Sequence, residues 1–155
     1  VEPRLAKLGA SLLISCVNDF AQGNTTQENQ DESKATFAPR ITKEDGQIQW
    51  TNSAEQIHNQ IRGLHPWPHA YSYLNGTRHL ILQSEVMNLF SPNHATTRPG
   101  QIITVLKDRV IVATGGADTL GILKIQLPGR APLATRAFLA GHPIAAGSLF
   151  QSQSP

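Results

Sequence analysis

Residues Ile57 to Tyr71 read IHNQIRGLHPWPHAY. Ile57, Ile61 and Leu64 recur at helical spacing and form one apolar stripe. Gly63 and Pro66 then stop the helix, and proline also bars the residue before it from helical geometry. Pro66-Trp67-Pro68 is a stiff corner that fixes how the helix meets the next segment, Ala70 to Leu74, which reads as a strand. Upstream, Ser53 with Gln56 three residues later forms a capping box, so the helix starts at Ser53. Downstream, Asn75-Gly76 predicts a tight hairpin between Ala70–Leu74 and Arg78–Val86, because both central residues of that turn need positive φ.

The pattern continues outward. Met87 to Arg98 reads as a loose connection. Gln101–Leu106 and Arg109–Thr114 are two more strands about Lys107-Asp108, and Leu120–Leu127 is a fifth. Ala134–Ala140 reads as a short helix ended by Gly141, and Pro143–Phe150 as a closing strand. Short strands spaced by turn residues predict a mainly β chain with helices, of the small Greek-key β-barrel class. Toward the N-terminus, Ala35–Ile41 is expected to be extended and Thr42–Asp45 to form a turn. Gln22–Lys34 is polar, without apolar period, and reads as a linker. Leu5, Leu8, Leu12, Leu13, Cys16, Val17 and Phe20 mark a wide apolar helical face, which the sequence predicts to be under-packed in this chain. On that face Cys16 reads as a buried, inert thiol.

Composition narrows the function. The chain has 155 residues, one cysteine and a net charge of +2. A lone cysteine excludes an intrachain disulfide and a cysteine metal cluster. No apolar run approaches the roughly 20 residues of a membrane span, and no signal peptide is read. A cytoplasmic setting follows as the expectation. Residues 1–46 hold five Lys/Arg against seven Asp/Glu, and residues 47–155 hold eight against four. The later half is therefore basic, a mild signal for a polyanionic partner.

Catalytic motifs are not apparent. His65 and His69 stand four apart, but Pro66 and Pro68 forbid the helix that would align them on a metal. The serines lack a G-x-S-x-G elbow, and Gly115-Gly116 lacks the frame of a phosphate loop. His58 reads as a hydrogen-bonding residue between helix and barrel, and His142 as a helix C-terminal residue. Trp50 and Trp67 could stack on bases, but Trp67, pinned between prolines, reads as core.

Three blocks carry a family resemblance: QDESKATFAPRITKEDGQIQW (Gln30–Trp50), the helix with PWP, and VIVATGG with the later FLAGH (Val110–Gly116, Phe138–His142). Together, over about Leu5 to Leu149, the chain resembles the linker and C-terminal domain of the methionyl-tRNA formyltransferases. It differs at His69, where glycine is frequent in the family, and at Pro143, where a basic residue is common. The resemblance implies an OB-like barrel. It implies that residues 1–23 are the last helix of a truncated Rossmann-like catalytic domain, 24–46 a linker and 47–155 the C-terminal domain. It also implies a partner, initiator methionyl-tRNA, and a formyl donor, 10-formyltetrahydrofolate, used by the whole enzyme and not held on this chain. The catalytic Asn, His and Asp, and the S-L-L-P motif near the folate, are absent; Ser11-Leu12-Leu13-Ile14 lacks the proline. The chain alone is expected to be inactive, with no catalytic and no metal residues.

The recognition role that the resemblance implies needs Lys/Arg facing phosphates. The candidates are Arg40, Lys43, Arg62, Arg78, Lys107, Arg109, Arg130 and Arg136. Lys43 has the best claim, since ITKED matches the family linker. Arg62 has structural alternatives, Glu55 or a backbone carbonyl. His58, Asn59, Pro66, Trp67 and Pro68 form the accompanying structural motif. Two alternatives stay open: the matching domain of a 10-formyltetrahydrofolate hydrolase or dehydrogenase, or of a sugar-nucleotide formyltransferase, and an OB-like nucleic-acid-binding module with no enzymatic role.

Overall fold

The computed structural model describes residues 2–25, 28–87 and 97–152. The chain forms two compact units, Val1–Pro39 and Arg40–Pro155. The first contains helix α1, Glu2–Ala21, and a 3₁₀ turn at Glu32–Lys34, where the Asp31 side chain caps Ser33 N–H. No residue of α1 is buried. Its leucines are more than half exposed and Phe20 is 76% exposed. Cys16, expected to be buried, is exposed as well. An amphipathic stripe sets which side of a helix is apolar, but only a packed surface buries it.

The second unit is a mainly β, barrel-like sheet with helices. A 3₁₀ turn at Glu44–Gly46 precedes helix α2, Ala54–Gly63. The strands are β1 Ala70–Leu74, β2 Thr77–Met87, β3 Ile102–Val105, β4 Val110–Ala113, β5 Thr119–Gln126, β6 Leu133–Ala134 and β7 Phe150–Gln151. Helix α3, Thr135–Gly141, follows β6. The order is β3-β4-β5-β2-β1-β7, with β6 added on β5, and every strand pair is antiparallel.

The capping box forms: Ser53 Oγ accepts from Gln56 N–H and Gln56 Oε1 accepts from Ser53 N–H. Ala54, Ile57 and Ile61 are the buried residues of α2. The Asn75-Gly76 turn also forms, with φ of 50° and 74°. Irregularities in β2 between Ile81 and Ser84 let this long strand bend from β1 to β5. The expected closing strand over Pro143–Phe150 is shorter, only Phe150–Gln151, but the chain before it completes the closure. Ile102 N–H donates to Ser148 O, Gly147 N–H to Ile102 O, and Phe150 N–H to Gly100 O, while Phe150 and Gln151 pair β1. One short segment thus ties both edges of the sheet. The expected connection at Met87–Arg98 lies largely outside the described residues.

The core gathers Ile48 and Trp50, Ile57 and Ile61 of α2, alternate strand residues such as Ile81, Ile102, Val110, Val112, Leu120, Ile122 and Ile125, and Phe138 and Phe150. Trp50 stacks on Phe150 with ring centroids 5.5 Å apart. Its indole N–H donates to Ser72 Oγ at 2.9 Å, and Ser72 Oγ donates to Gln151 O at 2.8 Å. A buried serine thereby joins the segment before α2, β1 and β7. Thr135 Oγ1 donates to Ile122 O and seats α3 on β5.

Candidate nucleic-acid interface

Strand alternation gives the β1–β2 hairpin two faces. Ala70 pairs Ile81 and Ser72 pairs His79 on the core side. Tyr71 pairs Leu80 and Tyr73 pairs Arg78 on the other. The Arg78 guanidinium lies over the Tyr71 ring, 3.8 Å from its centroid, and Tyr73 meets Tyr71 edge-on. Arg78 Nε is buried without a hydrogen-bond partner. Among the described residues Arg78 also makes no ion pair.

The segment before α2 runs along β1. Ile48 N–H donates to Tyr71 O, and Gln47 bridges Tyr71. Gly46 permits this approach: a Cβ there would lie 2.3 Å from His69 O. The 3₁₀ turn is braced by Asp45, whose carboxylate accepts from Thr42 N–H at 2.7 Å, and by Gln60 of α2, which donates to Asp45 O and Gln47 O. Lys43, just before the turn, is thus carried onto the outer face of the hairpin. It lines a cleft of about 250 Å³ with Trp67, Pro68, Arg78, Leu80 and Pro128.

Trp67 is 54% exposed, against the core expectation, while Pro68 beside it is buried. The two flanking X-Pro bonds are cis and His69 has φ of 67°. His69 thus occupies the left-handed region, where glycine is the least strained residue. His69 N–H donates to Leu64 O and closes the turn on the end of α2. The same turn brings the His65 and His69 rings to 5.3 Å without a helix. Among the described residues no group of three or more His, Cys, Asp or Glu is placed to hold a metal. Burial, with a smaller contribution from His65 nearby, holds the His69 imidazole below its ordinary pKa.

The remaining basic candidates do not join this cleft. Arg109 is ion-paired with Glu85 and Asp108, which raises its pKa, chiefly through the hydrogen bonds to Asp108. Those bonds hold the Asp108 carboxyl below the usual range, with a smaller contribution from the charge of Arg136. Lys107 is exposed at the same turn. Arg130 borders a separate cavity of about 420 Å³ with Leu133, Phe138 and His142. Arg62 Nε donates to Asn59 Oδ1 at 2.9 Å, rather than pairing with Glu55. Arg40 is exposed. His58 Nδ1 meets Ser84 Oγ at 3.1 Å and links α2 to β2. His142 caps α3 through its backbone N–H and stacks on Phe138. Sequence reasoning missed Tyr71 as the platform for Arg78; its aromatic ring one strand pair away from the arginine was the available signal.

The model of the formyl transferase C-terminal domain matches residues 40–143. The chain belongs to that family. This formyl transferase C-terminal domain is 38% identical over 144 residues to a methionyl-tRNA formyltransferase of Bacillus licheniformis, covering 93% of this chain and 44% of that protein. It is 39% identical over 146 residues to the one of Alkaliphilus metalliredigens, covering 94% and 45%. The chain therefore spans less than half the length of these curated relatives. Among solved structures it resembles HypX from Aquifex aeolicus, with a TM-score of 0.56 at 14% identity over 83% of this chain and 23% of that one. At that identity the likeness shows the fold alone. No helix among the described residues is long and apolar enough to cross a membrane.

Proposed function

We propose that this chain is the tRNA-positioning part of a cytoplasmic methionyl-tRNA formyltransferase acting in translation initiation, with an OB-like barrel as its scaffold. The whole enzyme would transfer a formyl group from 10-formyltetrahydrofolate to the amino group of methionyl-initiator-tRNA. In this reading α1 belongs to the catalytic domain, and the chain alone is inactive. The folate donor would be held by the catalytic domain of the whole enzyme rather than by this chain.

The observation that carries the reading is the cleft where Lys43, Arg78 and Trp67 converge. Neither cation makes a salt bridge among the described residues, which suits phosphate contacts, and no acidic residue lines the cleft. Arg109 is a weaker candidate, because its charge is already met by two carboxylates.

The test is filter retention of initiator methionyl-tRNA and an elongator tRNA across a salt series. The expected result is salt-sensitive binding of both, weakened together by Lys43→Ala and Arg78→Ala. Absence of binding to either tRNA at low salt would reject the reading in favour of a supporting barrel from another formyl-group enzyme.

A further inference from the structure

We propose that the cleft holds one unpaired nucleotide of an RNA strand, with its base against the Trp67 indole and flanking phosphates on Lys43 and Arg78. This rests on the tRNA reading and specifies what that surface grips.

Three features point to a single unpaired base. Trp67 is 54% exposed and makes no ring contact among the described residues, so its indole is open to stacking. Pro66 and Pro68 fix the backbone on both sides, so ordering the indole for a base costs little entropy. The cleft is concave and about 250 Å³, room for one flat ring between Trp67, Pro68 and Pro128 and far too small for a helix. Duplex grooves are read by elements that protrude, whereas splayed bases are taken into hollows with aromatic walls.

The charges fit the same ligand. Arg78, over the Tyr71 ring, and Lys43 line the cleft together and offer two cationic groups beside its apolar walls. A nucleotide in a strand presents the same sequence: phosphate, base, phosphate. Because every base has a π-face, the slot selects for strandedness rather than for sequence.

The full chain is titrated with a 12-nucleotide single-stranded RNA and with its duplex at equal phosphate concentration. Labelled-RNA anisotropy and tryptophan emission are both followed. The chain has two tryptophans, and Trp50 is buried in the core. The single strand is expected to bind about ten-fold tighter than the duplex and to quench emission. Trp67→Phe should keep the preference and lose the quench. Trp67→Ala should lose about ten-fold on the single strand alone with the salt slope unchanged. Equal binding of both RNAs, or single-strand preference without a Trp67 quench, overturns the nucleotide slot while leaving the polyanion reading standing. No binding of RNA or tRNA at low salt overturns both. Circular dichroism melts of the Trp67 variants separate lost binding from lost folding.

Discussion

Arg78 is stacked on Tyr71 across the β1–β2 hairpin, its guanidinium carbon 3.8 Å from the ring centroid. A guanidinium over a ring can still offer N–H groups to an incoming phosphate in a planar fork, a role a lysine fills only as a point charge. Arg78→Ala is therefore expected to lower the slope of log affinity against log salt by about 0.7 to 0.9, the value for one phosphate contact. Arg78→Lys should keep the slope and weaken binding a few-fold. An unchanged slope in Arg78→Ala, measured by filter retention, would remove Arg78 from the interface.

Gly46 and Gly63 should respond to alanine with opposite signs. A Cβ at Gly46 would meet the His69 carbonyl at 2.3 Å, whereas Gly63 has nothing within 4 Å and ends α2 in helical geometry. Gly46→Ala is expected to cost about 1–3 kcal/mol through overpacking. It should also weaken RNA binding, because the turn carrying Lys43 must move. Gly63→Ala should stabilise by about 0.4–1 kcal/mol. Urea melts of the two variants measure both; a neutral Gly46→Ala would mean that the turn is not held against β1.

Ser72 is the hydrogen-bonding node of the closure. It accepts from Trp50 Nε1 and donates to Gln151 O. Ser72→Ala strands a buried indole donor and a carbonyl of β7, which is expected to destabilise by about 1–3 kcal/mol. Hydrogen exchange should show the loss concentrated in 147–151 and the start of β3. Uniform loosening of all strands would argue against a closure that hangs on this residue.

These relationships divide sharply in how far the sequence reveals them. The Ser53–Gln56 box and the Asn75-Gly76 turn were legible because their physics is contained in a few adjacent residues. The closure by 147–151 and the pairing of β6 with β5 were not, since both depend on partners that local pattern does not name. Trp67 was misplaced because being pinned between two prolines stiffens the turn but says nothing about which way it faces. At the site, the basic residue types were readable, but not their sorting. Arg109 is met by Glu85 of β2, and Lys43 shares a cleft with Arg78 because Gly46 lets the chain lie on β1. The family resemblance supplied what periodicity lacked, a reason to single out Lys43 in ITKED among the basic residues.

The last expectation concerns acid stability. His79 is 6% exposed, edge-on to Phe138 and Phe150, and its Nδ1 is 2.8 Å from Thr77 O. Burial pushes its pKa below the ordinary 6.5, and the nearby His142 adds to the shift while the Thr77 carbonyl opposes it. The folded state therefore prefers neutral His79, and the unfolded chain binds the proton first. Its contribution to stability is complete above about pH 6.5 and is lost as pH falls from there through the folded-state value. In that window the slope is at most about 1.4 kcal/mol per pH unit for one histidine. His79→Asn retains a donor for Thr77 O and cannot titrate. It should be less stable at neutral pH, yet flatter below about pH 6.5 than the parent chain. The carboxylates held down by their partners, Asp31, Glu44 and Asp108, act at lower pH, while His69 shifts in the same direction as His79, so only the difference between the parent chain and His79→Asn isolates the His79 share. Thermal melts of both proteins from pH 7.5 to 5 compare the slopes. Parallel curves would mean that His79 is not the group that limits the fold on its acid side.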